Sequence, residues 1–412
     1  MPPLARVAVV VAVVASLSAP LPSAAQIPTD SLERRFRFAE LFIGADVAAL
    51  PAGSGADGHL DLAARALPRL TIGGLHFWGH ADFAVTFAAG RPARGTGASR
   101  SRLGTGIETR GRWYLRPVRT DGLAPFVGAG LGATDLQIGD GPRVYRFQPM
   151  GQVGLVWRRR TTLVEAGWSV RARPLGRYPV SRIELAPVEP SPHAFFVGVH
   201  RLFETTAGLV EPIRSGAWGD RERALRNAGR LSGPTLALGV SSPILTGSTM
   251  RNRELRPFLA ERPRGKPNLD LGVGWHAAGP DVQLNLAARR TRFATEAFDF
   301  AQRSDRTSLA LEAFKFLGDW HGFAPFVGPV VSVERLRLHE RDGTVPVIQA
   351  SRELVAPGVL VGWDIRPTRS QPWVLRTNLR WFPTLGLPLP DRTHALAQLE
   401  FNFIQLVWYP RR

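Results

Sequence analysis

The chain has 412 residues and a net charge of +18, from 52 Lys and Arg against 34 Asp and Glu. Only Lys266 and Lys315 are lysines, so the positive charge is arginine almost throughout. Without cysteine it has neither a disulfide scaffold nor a thiolate metal site, and its length suits one large domain or two ordinary ones.

Met1 to Ala25 reads as a secretory signal. Arg6 is its one charge, Val7 to Leu17 form an apolar run, and Ser23-Ala24-Ala25 has the small-x-small form of a cleavage site. The run is too short to span a bilayer as a helix, and no later uncharged stretch approaches the ~20 residues a membrane helix needs. An exported chain of this kind is either soluble outside the cytoplasm or a β-barrel. Export also removes nucleic acid as a partner, despite the basic charge.

From residue 41 onward the dominant pattern is period two. Strands are expected near 41–50, 69–78, 82–89, 102–115, 123–136, 146–158, 161–172 and 193–203. A second set is expected near 234–244, 268–276, 281–289, 308–317, 323–337, 352–365, 372–382 and 396–409. Val164, Ala166, Trp168 and Val170 alternate with Glu165, Gly167, Ser169 and Arg171, and Leu269 to His276 alternate in the same way. One face of each strand is apolar and the other small, polar or charged. Large aromatics stand near strand ends on the apolar faces (Trp78, Trp113, Trp157, Trp363, Trp381, Trp408), as the girdles of a membrane barrel require. Linkers after the first, third, fifth and seventh strands of each set read as long and polar, and the others as short turns. That is the threading of a barrel entered from the periplasmic side.

The two sets repeat one another. Gly122-Leu123-Ala124-Pro125-Phe126-Val127-Gly128 recurs as Gly322-Phe323-Ala324-Pro325-Phe326-Val327-Gly328, and Leu70 to Leu75 resembles Leu269 to Gly274. The lead-in Glu33 to Arg37 has a counterpart in Arg221 to Arg226. Each half resembles an eight-stranded outer-membrane barrel of the OmpA/OmpX/OmpW-like superfamily, in which the Ala-Pro-Phe-Val-Gly strand opening is common. The resemblance implies an all-β, antiparallel up-and-down transmembrane barrel in a Gram-negative outer membrane. It also implies recognition of the last strand by the barrel assembly machinery. The chain departs from the usual aromatic terminus in running on to Pro410-Arg411-Arg412.

The expected organisation is a signal over 1–25, a first eight-strand repeat over 26–203, a periplasmic linker over 204–233 and a second repeat over 234–412. Two separate eight-stranded barrels are favoured over one sixteen-stranded barrel. The linker is longer than a turn, and small residues such as Gly44, Gly128, Gly167 and Gly198 suit a narrow lumen.

Arginines on the polar faces stand near carboxylates. The expected lumen network joins Glu108 to Arg110 and Arg112, Glu165 to Arg171, and Arg376 and Arg380 to Glu400. Glu108→Ala is then expected to strand Arg110 or Arg112. The remaining arginines, on loops and linker, would meet water or the phosphates of lipopolysaccharide. No Gly-x-Ser-x-Gly elbow or His-Glu-x-x-His motif occurs. His76 and His276 read as interior hydrogen-bonding groups, and no cofactor or metal is implied. The expectation is a non-enzymatic outer-membrane barrel with a structural or interaction role. The alternatives are a sixteen-stranded anion-favouring pore and a lipid-modifying enzyme, for which His193 near Ser191 would be the candidate pair.

Overall fold

Period-two segments with one apolar face can bury that face against a second sheet or turn it toward lipid, and the ring they close decides which. The computed structural model describes residues 38–412 apart from 53, 56–64, 77–78, 89–100, 119–120, 173–176, 187, 205–215, 248, 319–322 and 366–367. The expected export signal, the lead-in Glu33 to Arg37, Trp78 and residues 205–215 of the expected linker lie outside the described residues.

The first ring contains β1 (Phe38–Leu50), β2 (Arg65–His76), β3 (Ala81–Ala88), β4 (Ser101–Tyr114), β5 (Gly122–Ile138), β6 (Val144–Arg159), β7 (Thr162–Arg171) and β8 (His193–Glu204). Each strand pairs antiparallel with its chain neighbour, and β8 closes on β1. A helix, α1 (Ala217–Asn227), follows.

The second ring contains β9 (Gly233–Leu245), β10 (Asn268–Ala277), β11 (Val282–Ala297), β12 (Phe300–Phe316), β13 (Phe323–Asp342), β14 (Val345–Ile365), β15 (Trp373–Phe382) and β16 (Gln398–Trp408), with β16 closing on β9. A second helix, α2 (Met250–Leu255), lies in the β9–β10 connection. The sixteen strands close as two rings of eight, so the single wide barrel is not formed. All sixteen expected strands are present.

Two expectations about connections are corrected. The linkers after β11 and β13 are not long: residues 298–299 and 343–344 are two-residue hairpins. Phe298 and Asp299 take φ of 49° and 65°, the left-handed geometry of a type I′ turn. Alternation continues through 290–308 and 337–352, but there the outward residues are arginines rather than aliphatics, so the strands read as polar loop. In the first ring, the β5–β6 linker has only residues 139–143, whereas the turn after β4 runs over 115–121.

The polarity of each ring is inside-out. Leu123, Val127, Leu131, Val153 and Leu155 point outward and are 45–53% exposed. Their chain neighbours Ala124, Phe126, Gln152 and Val156 are buried in the lumen. The repeated Ala-Pro-Phe-Val-Gly segment occupies the fifth strand of each ring. Phe126 and Phe326 both point inward, each with an arginine over its ring: Arg112 at 4.8 Å and Arg376 at 5.2 Å.

Candidate functional site

The functional question of a narrow barrel is what fills it. In the first ring the middle of the lumen holds four carboxylates, Asp46, Asp82, Glu108 and Glu165, and four guanidiniums, Arg69, Arg110, Arg112 and Arg171. All eight are buried and come from five different strands, so the ion pairs tie the wall across its diameter as well as along it.

Arg69 donates to Asp46 and, at 2.9 Å, to Glu108, whose other oxygen accepts from Arg171. Arg110 donates to Glu165 at 2.9 Å, and Arg112 bridges Glu165 and Asp82, reaching Asp82 at 2.6 Å. His200 Nε2 lies 3.2 Å from Glu165, while Thr71 and Tyr114 donate to Asp46 and Asp82. Space for this network comes from small residues. A Cβ added at Gly198 would stand 2.7 Å from the Asp46 side chain and 3.3 Å from that of Glu165.

The second ring repeats the arrangement with different partners. Arg376 pairs with Asp364 at 2.6 Å, and Arg380 pairs with Asp270 and Glu312, both at 2.6 Å. Arg306 joins Glu334 to Glu400, and Arg289 lies 3.4 Å from Glu400. All the residues expected in the lumen are therefore there, but the expected pairing is corrected. Glu108 meets Arg69 and Arg171 rather than Arg110 and Arg112. Glu165 meets Arg110 and Arg112 rather than Arg171. Arg380 is the strand-register partner of Glu400 but gives its hydrogen bonds to Asp270 and Glu312. Pairs along one strand were expected, whereas long arginines reach across the lumen to strands distant in sequence. Asp46, Arg69, Asp82, Asp270, Glu312 and Glu334 were missed, although each occupies the polar phase of its strand.

Apolar plugs close both ends of each charged layer. At the turn end of the first ring, Phe42, Leu75, Val118, Phe126, Leu163 and Leu202 pack together. At the loop end, Leu50, Leu136, Ile138, Tyr178 and Val188 do so, with the Tyr178 hydroxyl donating to Pro142 O at 2.7 Å. In the second ring α2 enters the loop-end mouth. Arg251 is fully buried and pairs with Glu340 and, at 3.0 Å, with Asp391, and Asn252 exchanges hydrogen bonds of 2.8 Å with Gln302.

Catalytic geometry fails where it was sought. The Ser191 hydroxyl accepts from the backbone N–H of His193 at 3.3 Å, while the His193 ring stacks on Trp168. A second Ser–His contact, Ser304 Oγ to His394 Nε2 at 3.0 Å, is buried, and His394 Nδ1 has no hydrogen-bond partner to orient it as a base. His276 is buried, 3.0 Å from Asp281 and 3.2 Å from Leu231 O, as an interior polar group; the His76 side chain lies outside the described residues. Among the described residues no three His, Asp or Glu side chains converge on a metal position.

The outer surface completes the geometry. Along β6, Phe147, Val153, Leu155 and Trp157 face outward. The ten residue-to-residue steps from Phe147 to Trp157 span about 33 Å of strand, which a tilt of about 40° projects to about 25 Å along the barrel axis. That is the height of the apolar band of an outer-membrane barrel. Trp113, Trp157, Trp275, Trp373 and Trp408 lie outward and exposed at the turn-side edge, and Trp373 stacks on Trp408 with centroids 5.5 Å apart.

No family model matches the chain, and no curated protein matches it in sequence. Among solved structures, Neisserial surface protein A is 14% identical with a TM-score of 0.29, over 40% of this chain and 97% of that one. The N-terminal β-barrel domain of Pseudomonas aeruginosa OprF is 12% identical with a TM-score of 0.25, over 40% and 98%. The ferric yersiniabactin uptake receptor FyuA of Yersinia pestis is 12% identical with a TM-score of 0.20, over 88% and 50%. These scores carry no argument about what the chain does.

Two predictions follow the lumen geometry. Among the described residues Arg171 has one ion-pair partner, Glu108. Glu108→Ala should cost ~3–5 kcal/mol in urea unfolding from micelles, because it leaves a buried guanidinium unpaired. Glu108→Ala combined with Arg171→Met should cost less than Glu108→Ala alone, and an equal or larger loss in the double variant would contradict the pairing. Burial, followed by the nearby Arg251 charge, lowers the His394 pKa from 6.5 to about 4. The unfolded chain then binds the extra proton first, so stability should fall as pH drops from about 6.5 toward 4, by up to about 3 kcal/mol. His394→Gln should flatten that slope, and an unchanged slope in the variant would refute the assignment.

Proposed function

We propose that the chain is an integral outer-membrane protein built from two occluded barrels, with a structural or interaction role and no solute pathway. Its apolar belts would meet outer-membrane lipid, and the signal over 1–25 would direct export. The barrel assembly machinery would insert the chain through β16, with residues 204–233 as the periplasmic linker between repeats 26–203 and 234–412.

The observation that carries the reading is the sealing of the charged layer. The side chains of Arg110, Arg112 and Glu165 are 0% exposed in the first lumen, and those of Asp270, Glu312, Arg380 and Glu400 are at most 1% exposed in the second. A gap wide enough for water would expose these atoms, so each lumen is filled at that level. An eight-stranded interior is just wide enough for side chains to fill it. A lipid-modifying activity has less support, because neither Ser–His contact has an accessible, oriented imidazole.

In planar bilayers the folded protein should give no large stable openings while its heat-modifiable gel mobility shows that the barrels are intact. Steady conductance from correctly folded protein would overturn the occluded reading.

A further inference from the structure

The outer wall of β11–β14 changes character abruptly. In strand register, Ala288, Leu309, Val333 and Val355 form the last apolar row across four strands. Two residues further toward the hairpins, the row reads Arg290, Thr307, Arg335, Glu353. The next reads Arg292, Asp305, Arg337, Ser351, and the one after it Ala294, Arg303, His339, Gln349. Arg341 lies beyond them on β13. All these positions have the outward phase, continuous with the lipid-facing belt. Rows two residues apart are separated by about 6.6 Å along the strand, or about 5 Å along the axis at barrel tilt, so the basic rows begin where the apolar band stops.

The patch is not neutralised internally. Asp305 is shared by Arg292 at 2.8 Å and Arg303 at 2.6 Å, and Arg335 lies 3.8 Å from Glu353. Arg290, Arg337 and Arg341 form no ion pair with any described residue, yet all three line one concavity of about 410 Å³ together with Arg303 and Arg335. Arginine accepts phosphate through its planar fork of donors. Charge placed here only for solubility would be as effective on the loops. Stacked in register directly above an aliphatic wall, it matches a molecule whose anions and acyl chains are joined at that depth. Three basic rows spread over about 13 Å of strand call for more than one anion on that molecule.

We propose that this face of the second barrel is a binding site for a multiply phosphorylated lipid headgroup of the outer leaflet, with Arg290, Arg337 and Arg341 as the phosphate ligands and Leu309, Val333 and Val355 under the acyl chains. The proposal rests on the membrane placement given above. It assigns one face of one barrel, whereas a general affinity of a basic protein for anions would use any exposed arginine.

The test uses full-length protein in neutral detergent and in phosphatidylcholine vesicles. The probe is fluorescent bisphosphorylated lipid A, with its monophosphorylated form and inorganic phosphate as comparisons. Arg290→Ala/Arg337→Ala/Arg341→Ala should weaken bisphosphorylated lipid binding at least ~10-fold, as expected for three charge-assisted contacts, while heat-modifiable mobility is kept. Arg159→Ala/Arg221→Ala/Arg230→Ala, which removes the same charge from exposed positions on the turn side and linker, should change it less than ~2-fold. The monophosphorylated lipid should bind more weakly than the bisphosphorylated one. Equal weakening by both triple variants would show a net-charge effect and overturn the site. Full competition by inorganic phosphate at the lipid's own concentration would make it a free-anion site and also overturn the proposal. Wild-type protein that does not insert into vesicles would instead refute the membrane placement. Insertion with lipid binding unaffected by the first triple variant would refute this site alone.

Discussion

Everything in this structure depends on pairing charge inside a space too narrow for water. An ion taken from water into a closed interior loses several kcal/mol of solvation, which is recovered only when a counter-ion and further hydrogen bonds are in place. In the first lumen, four carboxylates meet four guanidiniums, so the layer is neutral as a unit. Arginine suits this task better than lysine, because its fork can hold two carboxylates at once, as Arg112 holds Asp82 and Glu165. The same constraint explains the small residues beside the network: Gly198 leaves room where Asp46, His200 and Glu165 converge. It also explains the apolar plugs, which keep bulk water from the ends of the charged layer.

Much of this architecture was legible in the amino-acid order, because period two separates the lipid face from the lumen face without reference to any partner. Every strand was visible wherever its outward residues were aliphatic. The hairpins at 298–299 and 343–344 were hidden because β11–β14 outlast the apolar belt. Beyond Ala288 and Val333 both faces are polar, and alternation no longer separates strand from loop. The lumen residues were legible as a class but their partners were not. Arg380 faces Glu400 in register, yet it donates to Asp270 and Glu312 because a guanidinium reaches across a narrow ring. Partner choice across a lumen depends on stagger and side-chain length, which no linear spacing records. The buried insertion of Arg251 from α2 was invisible for a related reason: only the closed ring puts Glu340 and Asp391 within its reach.

The two rings solve the same interior problem with different rims. In the first, short strand pairings between loops (Tyr178–Pro179 with Leu185–Ala186, and Ser54–Gly55 with Val188–Glu189) lie over an apolar plug. In the second, strand hairpins project past the belt and carry arginine outward, while α2 seals the mouth with an ion pair. The rings also touch: Arg182 donates to Asp342 at 2.8 Å and to Phe298 O, and Arg264 lies 4.7 Å over the Tyr145 ring. The large positive charge of the chain therefore has two physical fates. Inside, it is matched and silent; outside, it is concentrated at the edge of the apolar belt, where Arg290, Arg337 and Arg341 form no ion pair with any described residue.

Because the chain has no native cysteine, single-cysteine scanning along β6 tests the central claim most directly. Protein carrying one cysteine at a time at residue 152, 153, 155 or 156 would be folded into vesicles and exposed to a water-soluble maleimide and to lipid-borne quenchers of an attached fluorophore. Gly154 is passed over because a Cβ there would collide with the Ala166 carbonyl. Positions 153 and 155 should resist the aqueous reagent and, once labelled before insertion, be quenched from the lipid. Positions 152 and 156, buried in the lumen, should be reached by neither. Rapid aqueous labelling at 152 or 156 would mean a water-filled lumen, and rapid aqueous labelling at 153 or 155 would mean a wall that does not face lipid; either result contradicts the account.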